Sequence, residues 1–182
     1  HEAAAVNEIK RHKRFTVVIG NPPYAAISSN LTPQLRRIVE PYRYVDGQKI
    51  RERSMLQFEK NIQDDYVKFF ALSQARVQES GVGICALITN HSYLDGPTLR
   101  GLRWNLLDQF PKSWFFDLHG NSNKGEESPE GKSNENVFDI KQGVGIAVML
   151  KADKVSESFV GLGESWGTRI EKYEQLARQT IL

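Results

Sequence analysis

The chain is poor in several things that would have pointed elsewhere. It has one cysteine, Cys85, among 182 residues, so no internal disulfide can form and a reducing compartment is expected. Cys85 lies within an apolar run and reads as a small buried hydrophobe. No apolar stretch approaches the roughly 20 residues that a membrane-spanning helix needs, and no secretory signal opens the chain. Net charge is only +2, so no overall basic field announces nucleic acid. One basic cluster, Lys10 to Arg14, reads as the solvated end of a helix. The four histidines have no metal-ligand spacing, and no metal site is expected. Asp117 with His119 hints at hydrolytic chemistry, yet no third ligand or nucleophile is placed to help. Internal repeats and heptads are also missing.

What is present is an ordinary globular composition, 40% hydrophobic and 25% charged, with length enough for one domain. Apolar periodicity gives its order. A short helix over Glu2 to Lys13 precedes a strand, Phe15 to Ile19. Leu31, Leu35, Ile38 and Val39 suggest a helical turn or two. Ser54 to Glu79 has a helical period and ends at Gly81. Val82 to Thr89 is a strand apolar enough to be covered on both faces. Pro97 starts a helix carrying Leu99, Leu102, Leu106 and Leu107 inward. Trp114 to Leu118 and Gly143 to Leu150 are strands joined by a polar loop, Gly120 to Asn136, so they are expected to be antiparallel. The tail from Gly167 to Leu182 looks helical. Strands alternating with helices make this an α/β chain.

The most informative stretch follows the first strand: Gly20, then Asn21-Pro22-Pro23-Tyr24. Ligands bind at the carboxyl ends of strands in open α/β sheets. An exocyclic amino group on a flat ring has two N–H donors and a delocalised lone pair. The Asn21 side-chain oxygen and the Pro22 carbonyl can each accept one of those bonds, and the fixed φ of proline holds the direction. Accepting both localises the lone pair on nitrogen. Tyr24 can stack on the ring.

TVVIGNPPYA resembles the catalytic motif of amino-methylating, adenine-specific DNA methyltransferases. Other stretches match in the same order: Asp64 to Phe70, Gly83 to Asn90, and Asn136 to Gln142. Thr89 to Gly96, Asp117 to Asn121 and Trp166 to Tyr173 are similar to the methylase part of fused bacterial restriction–modification enzymes of type ISP or IIG-like organisation. The likeness runs from Phe15 to Tyr173.

This resemblance implies the C-terminal half of a doubly wound, Rossmann-like sheet ending in an antiparallel strand pair. It implies methyl transfer from S-adenosylmethionine to adenine in double-stranded DNA, with the target base flipped out. Asn21, Pro22 and Tyr24 take the catalytic places. Tyr24, Phe138 and Asn90 take the base-binding places, and Pro23, Asp64 and Tyr66 border the cofactor. A bacterial or archaeal cytoplasmic setting follows, without a membrane.

The family's Gly-rich cofactor turn has no counterpart before Asn21. Residues 1–165 are therefore expected to be the catalytic half of a methyltransferase domain, and 166–182 a helical tail leading toward a target-recognition region. The first strand is then expected to expose an edge that pairs with an upstream half or with another copy, and the chain alone is expected to be inactive. The same clamp serves methyltransferases acting on protein glutamine or RNA bases. A non-catalytic DNA-binding or assembly fragment is the remaining alternative.

Overall fold

The computed structural model describes residues 3, 6–9, 13–24, 32–131, 133–155 and 157–178. Residues 10–12 of the basic cluster, Leu31 and residue 132 of the polar loop lie outside them, as does part of the expected first helix; residues 6–9 are helical.

Five strands form one sheet: β1 (Val17–Gly20), β4 (Gly83–Asn90), β5 (Lys112–His119), β6 (Val144–Lys151) and β7 (Phe159–Glu164). Their order is β1-β4-β6-β5-β7. β1 is parallel to β4, β6 is antiparallel to both β4 and β5, and β5 is parallel to β7. The expected antiparallel pair is thus β5 with β6. The sheet does not stop there, because β7 adds a parallel strand at the edge. β2 (Tyr44–Val45) and β3 (Gln48–Lys49) form a separate small hairpin.

The helices are α1 (Pro33–Ile38), α2 (Met55–Ile62), α3 (Asp65–Ser80), α4 (Ser92–Asp95), α5 (Arg100–Gln109) and α6 (Arg169–Arg178). The single helix expected from Ser54 to Glu79 is two. Asp64 breaks it: with extended backbone, its carboxylate accepts from the Tyr66 N–H and caps α3. An Asx side chain at that place competes with helix continuation. α3 ends at Gly81, whose φ of +83° suits a glycine cap. Among the described residues no helix is long and apolar enough to cross a membrane.

Alternation along the strands divides the apolar residues between two faces. Cys85, Leu87, Phe115, Ala147 and Met149 join the main core with α2, α3 and α5. Leu118, Val137 and Val144 form a second core, against which Tyr24, Ile88, Phe116 and Phe138 pack. Burying side chains of this size contributes roughly 1.5–3 kcal/mol each. β1 is an edge strand, and its Val17 and Ile19 are 54% and 78% exposed. The apolar edge expected from the sequence is therefore present, and among the described residues no strand covers it.

Candidate active site

β1 and β4 run parallel, with Gly20 opposite Leu87, so the Asn21–Tyr24 turn and the Asn90 turn leave the same edge of the sheet. Asn21 and Pro23 are exposed, Pro22 is buried and Tyr24 half-buried. Buried Pro22 anchors the turn while Asn21 faces solvent, where a ligand can reach it.

Tyr24 meets Phe138. Their ring centroids are 6.2 Å apart and their planes tilted by 59°. Among the described residues the buried Tyr24 hydroxyl has no hydrogen-bond partner, and burial pushes its phenol up to about 12. Phe138 arrives from the far end of the long loop. Asn136 fixes that end: its Nδ2 donates to the Gly120 and Gln142 carbonyls at 3.0 and 2.7 Å, and its Oδ1 accepts from the Phe138 N–H at 2.8 Å. Gly120 is required at the crossing. Its φ is +81°, and a Cβ there would lie 2.6 Å from the Asn136 Cα. Phe138 also lines a broad cleft of about 810 Å³ with Asn136 and Arg169.

A second cavity, about 420 Å³, opens at the same sheet edge and is lined by Asn61, Asp64, Tyr66, Asn90, Ser92 and Lys124, among others. Three expected residues, Asp64, Tyr66 and Asn90, therefore converge. Pro23 is not in the lining. Burial, and then the neighbouring Asp65, raise Asp64 to about 6 against the helix-capping N–H groups that lower it. Tyr66 is almost wholly buried against Phe70 and Tyr93, so it is a core aromatic with one edge at the cavity. Asn90 spends its Oδ1 on the Ser92 N–H and hydroxyl, at 2.8 and 2.6 Å, which leaves its amide nitrogen for a ligand. The sequence did not place at this cavity Lys124, which spans the mouth to Asp95 at 3.3 Å, or Asn61, bonded to Thr98 at 2.7 Å. Both come from loops or helix ends that no periodicity marks.

Asp117 and His119, paired in the sequence without a third partner, join His91 in a polar knot at the ends of β4, β5 and β7. His91 Nδ1 lies 2.9 Å from Asp117 Oδ1, and its Nε2 lies 3.1 Å from Asn121 Nδ2. His119 contacts Glu126 and Glu164 through its two ring nitrogens and stacks on Trp166, centroids 3.4 Å apart. Burial works to raise the Asp117 carboxyl. Hydrogen bonds from His91 and the His119 backbone outweigh it, helped by the two imidazoles nearby, and hold it below the ordinary range. Sequence spacing brings Asp117 and His119 together on β5 but not His91 or Glu164, which arrive from the ends of other strands.

α6 is fastened to this body. Buried Lys172 donates to the Leu118 carbonyl, Asn134 Oδ1 and the Glu135 carbonyl at 2.7, 2.8 and 2.5 Å, and Tyr173 donates to the Val137 carbonyl at 2.7 Å. Burial lowers the Lys172 ammonium from its usual value, against the pull of Glu126, Asp117 and Glu135.

Residues 1–123 match the family model described as Eco57I restriction-modification methylase. Three solved structures share the fold. The ATP-dependent Type ISP restriction-modification enzyme LlaBIII bound to DNA is 25% identical, with a TM-score of 0.75 over 95% of this chain and 12% of its own. The DrdV–DNA complex is 23% identical, with a TM-score of 0.76 over 99% of this chain and 18% of its own. A nuclease-deletion mutant of the Type ISP enzyme LlaGI, with a DNA substrate mimic, is 22% identical at a TM-score of 0.75, over 96% of this chain and 17% of its own. The chain thus spans less than a fifth of the length of these proteins. No curated protein matches it.

Proposed function

The chain belongs to the Eco57I restriction-modification methylase family, and on that premise we propose that it carries the catalytic turn of a methyltransferase acting on the exocyclic amino group of adenine in DNA. The observation that carries this reading is the meeting of Tyr24 with Phe138 beside the Asn21-Pro22 turn. Two aromatic walls next to two amino-group acceptors match one flat, amino-bearing base.

In this mechanism the target adenine is extruded from the duplex, as in enzymes that act on a base's own atoms. Tyr24 and Phe138 bracket its faces. Asn21 Oδ1 accepts one amino N–H and the Pro22 carbonyl accepts the other. The nitrogen is drawn toward tetrahedral geometry and its lone pair is directed outward. Neither acceptor is basic enough to take a proton at neutral pH, so the turn works by orientation and preorganised dipoles. The proton shed after transfer leaves to solvent.

The cavity beside Asp64 and Asn90 fits a cofactor in size, since small-molecule sites run from about 300 to 1,000 Å³. Its half-buried carboxyl suits the ammonium of S-adenosylmethionine, which supplies an electrophilic methyl group when bound. Asp64 and Tyr66 would border the cofactor in this cavity, with Pro23 outside its lining, and Asn90 would stand between cofactor and base. DNA as partner is supported by the DNA-bound relatives of the same fold. The exposed β1 edge supports pairing with a further strand, from an upstream half-domain or a second copy. The experiment is methyl transfer from labelled cofactor, with the chain inside its full polypeptide, to DNA, RNA and protein in parallel. Label is expected on DNA alone, as N6-methyladenine; label on RNA or on glutamine instead would overturn the assignment.

A further inference from the structure

We propose that His91, Asp117 and His119 form a binding site for one divalent transition-metal ion, with Zn²⁺ the best fit, clasping the ends of β4 and β5 where the long loop begins. One ligand atom from each residue lies within 4.8 Å of the other two. This site does not depend on the methyl-transfer reading.

His119 carries the argument. Its Nε2 is 3.1 Å from Glu164 Oε2, while its Nδ1 faces Glu126 Oε1 at 3.0 Å and Asp117 Oδ2 at 3.7 Å. Carboxylate oxygens therefore face both ring nitrogens, and those of Asp117 and Glu126 lie on the Nδ1 side, where a metal ion takes the Nδ1 lone pair with a carboxylate beside it. Glu164 then takes the Nε2–H, the arrangement in which a carboxylate behind a histidine orients it toward a metal.

His91 supplies the second nitrogen. It is 3% exposed, and its ring is wedged so tightly against Gly143 that a Cβ there would lie 2.3 Å from Nε2. Its Nδ1 is 2.9 Å from Asp117 Oδ1. In the hydrogen-bonded arrangement that Nδ1 holds the proton, because Asn121 turns Nδ2 toward Nε2 and accepts the Lys124 N–H on Oδ1 at 3.2 Å. Metal binding displaces the Nδ1 proton. Nε2 then becomes the N–H, and the Asn121 amide turns over to accept it. The exchange gives up the Lys124 N–H bond to Asn121 and the His91–Asp117 hydrogen bond, and gains two nitrogen–metal bonds and a carboxylate–metal bond.

Both rings are already held in place. The Trp166 stack fixes His119 and the Gly143 contact fixes His91, and the two imidazoles stand edge to face, 6.3 Å apart at 85°. The two-nitrogen, one-carboxylate donor set suits Zn²⁺ and its neighbours rather than Mg²⁺ or Ca²⁺, which take oxygen. Glu126 or a water completes four-coordination. The ion would cross-link two strand ends to the root of the Phe138 loop.

The test uses the chelator-treated chain, titrated with Co²⁺ and with Zn²⁺ near neutral pH. Co²⁺ is expected to bind at one equivalent with visible d–d bands, and Zn²⁺ to displace it and raise the melting temperature. His119→Phe, which keeps a ring on Trp166, is expected to abolish the bands while the chain stays folded by circular dichroism. Glu164→Gln, at an exposed position, is expected to weaken binding roughly 10–100-fold. Silence of the wild-type chain, or equal binding by His119→Phe, overturns the proposal.

Discussion

Tyr24 and Phe138 touch each other where, under the proposed function, they should hold a base between them. Their centroids are 6.2 Å apart and their planes 59° from parallel. A base stacked between two walls needs them nearly parallel and about 7 Å apart, twice the 3.4 Å stacking distance of DNA. Base entry therefore separates and aligns the rings, giving up a tilted aromatic contact of about 0.5–1.5 kcal/mol.

Phe138→Ala should weaken productive DNA binding by about 1–3 kcal/mol, the usual range for one base–aromatic stack. Methylation kinetics read this as a raised KM. Tyr24→Phe should behave differently. It keeps the stack and removes a buried hydroxyl with no partner among the described residues, so thermal stability should hold or rise slightly. A large loss of stability in Tyr24→Phe would mean that the hydroxyl has a partner after all.

Asp64 gives a pH signature. Its folded pKa is raised from 3.8 to about 6, chiefly by burial. A raised acid binds its proton more tightly when folded, so its contribution to stability is full below pH 4 and is lost as pH rises through 6. Asn caps a helix as well as Asp does. Asp64→Asn should therefore melt higher than wild type at pH 8 and equally at pH 4. The opposite ordering would show that the carboxylate is held by a cation. A bound ammonium ligand should lower the Asp64 pKa.

Lys172 ties α6 to the sheet through three acceptors and is fully buried. Lys172→Met leaves those acceptors unpaired, at about 1–3 kcal/mol for each group left unsatisfied. Calorimetry should show a melting temperature lower by about 4–12 °C, taking a net loss of 2–3 kcal/mol in a domain of this size.

Much of the fold could be read in the sequence. Val82 to Thr89 and Gly143 to Leu150 were legible as strands from their apolar runs, but the expected cover on both faces of the first is incomplete, since Ile84 is exposed. Asn21 to Tyr24 was legible because proline pairs fix a turn. β7 was not, since Gly161 and Gly163 interrupt its pattern; both sit opposite bulky rings of β5 that fill the space a side chain would take. The break at Asp64 was hidden because apolar spacing continues across it. Asp117 and His119 share β5, but His91 reaches them only through strand order.

The β1 edge makes a claim about association. Val17 and Ile19 are exposed on a strand that is unpaired on one side among the described residues, a template for further pairing. The chain by itself should associate with rising concentration in light scattering, and Ile19→Lys should suppress this. A monodisperse wild-type monomer at high concentration would argue against an open edge.

The most direct measurement is nucleoside mass spectrometry of DNA methylated by the full polypeptide, wild type against Asn21→Ala. Removing one preorganised hydrogen-bonding partner of a transition state typically costs about 10²–10³ in rate. We expect N6-methyladenine from the wild type and a fall of about that size in Asn21→Ala, with folding unchanged. Undiminished adenine methylation by Asn21→Ala, or a mark on another base, would contradict the assignment.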